Sequence, residues 1–151
     1  MDAMAPLYAK SIKEEGVFVD PRDPTMPFRC ISLSDVGKAV TQIILRPGNH
    51  EERIYNLLGP SITINDQVEA LSKATGKKIT CQDQDYDEYR ETLEAMKVPE
   101  WSIHGTFEIY NMIDEADELI NLADTGDFEA ITGDKPMSLQ MWCNKNVSRF
   151  R

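Results

Sequence analysis

A chain of 151 residues with 41% hydrophobic content can bury a core of its own and reads as a single domain over residues 1–151. Its 26 acidic against 16 basic side chains leave a formal net charge of −10, which argues against nucleic acid or an anionic membrane as partner, since both require a basic surface. Cys30, Cys81 and Cys143 are odd in number and far apart, which fits reduced, buried thiols in a cytoplasmic protein. No apolar run is long enough for a signal peptide or membrane span.

In chain order, Met4, Leu7, Tyr8 and Ile12 fall at helical spacing with no capping residue before them, so the chain enters a helix already under way. Gly16 closes it. Val17 to Val19 reads as a short strand, and Asp20 to Pro27, with three prolines, as a loop. Phe28, Cys30, Ile31 and Leu33 suggest a buried strand running into a helix capped by Ser34, with Asp35 in its first turn. Val36, Ala39, Val40, Ile43 and Ile44 give that helix one apolar face, and Pro47-Gly48 stop it. Arg53 to Leu58 then reads as the returning strand of a βαβ unit, which makes the fold class α/β. Ligands of such folds bind beyond the carboxyl ends of strands.

Further on, Thr63 and Asp66 form a capping box ahead of a helix whose inner face is Ile64, Val68, Leu71 and Ala74, with Gly76 as its stop. Lys77 to Gln82 reads as a strand. Tyr86, Tyr89, Leu93 and Met96 mark a helix ended by Val98-Pro99. A longer helix carries Ile103, Phe107, Tyr110, Ile113 or Met112, Leu119 and Ile120. Turns follow at Thr125-Gly126 and Thr132-Gly133, and Ser138 caps a last helix through Leu139, Trp142, Asn146 and Phe150.

Few residues suggest chemistry. His50 lies in the polar turn PGNHEER and reads as a solvated loop residue. His104, beside Trp101 and between Ile103 and Phe107, reads as a satisfied core histidine or pocket wall before it reads as a general base, because no nucleophile stands near it. Asp83, Asp85, Asp87 and Glu94 imitate part of an EF-hand loop, but Glu88 takes the place of its glycine, and an acidic helix start explains the run better. Asp114 to Glu118 reads as a solvated acidic helix face. Histidines and cysteines do not cluster as metal ligands would. The sequence contains neither GxGxxG nor GxxxxGK, and no Tyr-x-x-x-Lys pair.

The order of segments resembles the C-terminal half of the NmrA-like group of atypical short-chain dehydrogenase/reductases. The resemblance rests on Ile12 to Phe18 (IKEEGVF), Phe28 to Val40 (FRCISLSDVGKAV), Arg53 to Ile79 (RIYNLLGPSITINDQVEALSKATGKKI), Pro99 to Trp101 (PEW) and Ile131 to Trp142 (ITGDKPMSLQMW). In that group an Asp-Val-Gly helix, a Y-N-L-x-G-P strand end, a capped helix closing in A-T-G-K and a late T-G-x-x-P turn follow one another in this order. The Rossmann half with its glycine-rich loop has no counterpart in these residues. The resemblance implies the substrate-binding portion of an NAD(P)-dependent reductase, inactive alone, with NAD(P) a cofactor of the parent family and not of this chain by itself. It implies a small-molecule substrate and, as pocket candidates, Met4, Tyr8, Phe28, Trp101, His104 and Tyr110. A non-catalytic regulatory or protein-interaction module is the competing expectation. The strand at Arg53 to Leu58, deprived of a sheet neighbour, is expected to promote self-association or to recruit a protein partner.

Overall fold

A computed structural model of the chain describes residues 1–115, 123 and 125–151. The first helix, α1 (Met4–Glu15), starts from Ala3 without a side-chain cap and ends on Gly16, whose φ of 71° is the left-handed turn that glycine adopts without strain. Strand β1 (Val17–Asp20) follows at once. It pairs in parallel with β4 (Thr80–Asp83), Phe18 opposite Cys81 and Asp20 opposite Asp83. Between them lie β2 (Phe28–Arg29), α2 (Leu33–Leu45), β3 (Ser61–Ile62) and α3 (Ile64–Thr75). The remaining described helices are α4 (Tyr86–Ala95), α5 (Glu100–Asp114), α6 (Asp127–Thr132) and α7 (Leu139–Asn146).

Most helices begin where capping chemistry dictates. Thr63 and Asp66 make the reciprocal capping box of α3, Asp85 accepts the Glu88 amide at the start of α4, and Ser138 accepts the Met141 amide at the start of α7. The Asp85 side chain is therefore engaged as a helix cap. The main core joins α1, β1, α3 and α7 through Ile12, Phe18, Leu71, Trp142, Cys143 and Phe150. A second cluster, Tyr89, Leu93, Ile103 and Tyr110, joins α4 to α5. A third sets Ala39 of α2 against Phe128 and Ile131 of α6.

Two expectations need correction here. The cap of α2 is Ser32, not Ser34: its hydroxyl accepts the Asp35 amide, and Leu33 becomes the first helical residue, exposed instead of buried in a strand. Arg53 to Leu58 forms no strand. Tyr55 and Leu57 pack on the α2–α6 cluster and Ile54 is 95% exposed, and no strand among the described residues pairs with the segment. The partner of β2 is instead β3, antiparallel, Phe28 opposite Ile62. The reason is visible at Gly59, where a Cβ would stand 2.0 Å from the Cys30 carbonyl oxygen. The chain after residue 58 thus passes hard against the end of β2, and only glycine permits that approach. The turns at Thr125-Gly126 and Thr132-Gly133 hold a short helix, α6, between them, with Gly126 and Gly133 both at positive φ. Leu119, Ile120 and the acidic run beyond Glu115 lie outside the described residues.

Candidate functional site: an apolar cavity over a buried ion pair

The site is built on the end of β1. Asp20 is 1% exposed and would be costly to bury as a lone carboxylate. The proline-rich loop turns the chain so that Arg22 folds back over it. Arg22 donates from Nε to Oδ1 at 2.8 Å and from Nη2 to Oδ2 at 2.7 Å, and its backbone amide donates to Oδ1 at 3.1 Å. This two-pronged geometry is the strong form of an arginine–carboxylate pair. Tyr8 of α1 donates its hydroxyl to Asp20 Oδ2 at 2.6 Å and stands 3.2 Å from the Tyr110 hydroxyl of α5. The guanidinium is held between two ring faces, 4.6 Å from the centroid of Phe28 and 4.2 Å from that of Tyr110. One buried charge thereby ties α1, β1, β2 and α5 together.

The electrostatics follow from burial. Burial by itself would lower the Arg22 pKa, but the hydrogen bonds and charge of Asp20 outweigh it, and the guanidinium is held protonated. Burial raises the Tyr8 and Tyr110 hydroxyls well above the ordinary tyrosine value, with the Asp20 charge acting in the same direction. Burial also raises the pKa of the Cys30 thiol. Such hydroxyls, kept neutral and one of them committed to Asp20, are fixed hydrogen-bonding groups. They are poor general bases.

Above this pair lies a cavity of about 280 Å³, close to the lower end of the roughly 300–1,000 Å³ usual for small-molecule sites. Met4, Leu7 and Tyr8 of α1, Phe28 of β2, and Ile109, Tyr110 and Ile113 of α5 supply most of its wall, with Arg22 and Gln67 among its polar residues. Gln67 of α3 is 3% exposed, and its Oε1 has no hydrogen-bond partner. A buried, unpaired amide oxygen costs about 1–3 kcal/mol.

Of the six residues singled out from the sequence, Met4, Tyr8, Phe28 and Tyr110 line this cavity. Trp101 and His104 do not. Trp101 is 79% exposed, and the His104 Nε2 lies 3.0 Å from Glu100 one turn back on the outer face of α5. The half-buried setting expected for them is corrected: Ile103, Tyr110 and Ile113 turn inward, and a residue one step past Ile103 is rotated about 100° away. His50 is not simply solvated, since its Nδ1 lies 2.8 Å from the Tyr55 hydroxyl. Nothing in the sequence marks Asp20 and Arg22, which sit in or beside a loop without periodicity. Gln67 did leave a trace, because it falls between Ile64 and Leu71 on the inner face of α3.

Among the described residues, no group of three His, Cys, Asp or Glu side chains could hold a metal ion. A dinucleotide pyrophosphate requires free amides at a helix N-terminus. Here side chains cap the first turns of α2, α3, α4 and α7, and those of α5 and α6 carry Glu100 and Asp127, whereas α1 begins with neither a cap nor a first-turn carboxylate.

No protein-family profile matches the chain, and no curated protein sequence matches it. Solved structures do. A nucleoside-diphosphate-sugar epimerase from Staphylococcus aureus superposes with a TM-score of 0.77 at 20% identity, over 95% of this chain and 48% of its own. The triphenylmethane reductase of Citrobacter sp., solved with NADP(H), gives 0.75 at 22% identity over 91% and 46%. An NADPH-dependent quinone oxidoreductase from Escherichia coli gives 0.68 at 19% identity over 95% and 50%. The chain has the fold of about half of each of these proteins. It is the α/β fold that the NmrA-like resemblance implied, and the chain spans about half the length of the structures it matches. No described helix is long and apolar enough to cross a membrane.

Proposed function

We infer that this chain is the C-terminal, substrate-binding portion of an NmrA-like NAD(P)-dependent oxidoreductase, cytoplasmic, and that it does not turn over substrate alone. The observation that carries this reading is the cavity. It is walled by Met4, Tyr8, Phe28 and Tyr110, in a fold shared with half of two NADPH-linked reductases. An apolar, ring-lined cavity with few polar groups suits a small aromatic or carbonyl compound. The residues described do the binding part of such chemistry: the ion pair fixes the rings, and the rings exclude water. The dinucleotide would be held by the other half of the fold, which would supply the hydride. The exposed apolar side chains of Leu33, Val40 and Ile44 on α2, together with Ile54, offer a face for that half.

The test is to titrate the purified chain with NADPH, following nucleotide fluorescence, and to assay quinone reduction. The expected result is no saturable binding and no turnover. Binding at micromolar strength or tighter, about −8 kcal/mol, would overturn the claim of dependence on a second half.

A further inference from the structure

We propose that Gln67 is the polar contact of whatever ligand fills the cavity, and that this ligand is a ring compound carrying a carboxamide-like group, with a donor and an acceptor side by side. The proposal rests on the substrate-binding reading above and specifies its chemistry. Four polar side chains that line the cavity are buried: Tyr8, Arg22, Tyr110 and Gln67. Three are committed to the Asp20 network. Arg22, which would otherwise attract an anion, is already neutralised by Asp20 and flanked by the Phe28 and Tyr110 rings. The partly exposed Arg29 donates to the Gly59 carbonyl, and Thr106 donates to that of Ser102. Gln67 alone of the four has an atom sealed from water without a partner.

Its position makes that omission informative. Gln67 lies one turn from Ile64 and one from Leu71, both fully buried, so the pattern of α3 calls for an apolar side chain there. A polar group in such a place, unpaired, opposes local folding preference, and conflicts of this kind collect at functional positions. A carboxamide turned by 180° exchanges its donor and acceptor, so it pairs best with a group that offers both.

Calorimetry on the full chain with two probes tests this: benzamide, and cumene, which has the same heavy-atom skeleton without the amide. Gln67→Leu and the straighter Gln67→Met are compared with the wild type, together with thermal melts. The expected result is that both variants melt at the same temperature or higher, while the ratio of benzamide to cumene affinity falls at least about tenfold. If both probes bind and the ratio moves less than that, the Gln67 assignment fails while the cavity stands. If neither probe binds the wild type, the substrate-binding reading fails with it. If both variants lose their fold, the carboxamide serves the core instead of a ligand, and the proposal is overturned.

Discussion

The region around Asp20 and the region around α2 use the same amino-acid vocabulary and end in opposite states. At Asp20 a carboxylate, a guanidinium and two tyrosine hydroxyls are buried and matched to one another, and the apolar rings close over them. Along α2, Ala39 is buried against α6, yet Leu33, Val40, Ile44 and Leu45 remain exposed, and Ile54 stands beyond them. Apolar periodicity shows which face of an element wants cover. Whether the cover exists depends on what else is present.

The largest effect should come from opening the buried network. Asp20→Ala leaves the Arg22 charge buried and unpaired, and urea unfolding should show a loss of roughly 3–5 kcal/mol. Asp134→Ala breaks only the exposed pair with Lys38 and should cost about 1 kcal/mol or less. Equal losses would mean that the two regions do not differ as described.

The two tryptophans sharpen the contrast. Trp142 is fully buried beside Phe150, its rings at 6.1 Å between centroids. Trp142→Ala should therefore cost about 3–5 kcal/mol. Trp101→Ala, on the outer face of α5, should fall within about 0.5 kcal/mol of the wild type. Thermal and urea melts of the pair decide this.

Alkaline titration probes the network without mutation. Tyr8 and Tyr110 lose their protons near pH 10 when unfolded but only well above it when folded. Their contribution is complete below pH 10 and is lost as pH rises beyond, by up to about 1.4 kcal/mol per pH unit for each. Tyr110→Phe should make that decline shallower. A stability flat to pH 11 would contradict the buried, proton-holding assignment.

The smallest effect on stability, within about 0.5 kcal/mol, is expected for Ile44→Lys combined with Ile54→Lys. Light scattering should show the wild type self-associating through this face and the double variant monodisperse. A monodisperse wild type would mean that the face needs no cover.

Much of the fold was legible because local chemistry decided it. The capping box at Thr63, the left-handed glycines at 16 and 76, and the inward spacing of Tyr89, Leu93, Ile103 and Tyr110 are all short-range signals. Four cavity residues could be singled out because they lie on such elements or carry the family resemblance. The failures are long-range. Arg53 to Leu58 has the residues of a strand, but pairing requires a neighbour, and the close passage of Gly59 past Cys30 gave β2 to Ser61-Ile62 instead. Arg22 is buried through a carboxylate two residues away in a loop, where periodicity says nothing. Trp101 and His104 were drawn inward by their apolar neighbours, although helical geometry already placed them on the other side.

The central claim, that the cavity between α1, β2 and α5 receives the ligand, is tested most directly by methyl-labelling methionine and isoleucine and adding duroquinone, a neutral quinone without a reactive ring position. The methyl signals of Met4, Ile109 and Ile113, which line the cavity, should shift together and saturate, while those of Ile44 and Ile54 stay in place. Shifts confined to Ile44 and Ile54, or no saturable shift at all, would contradict the account.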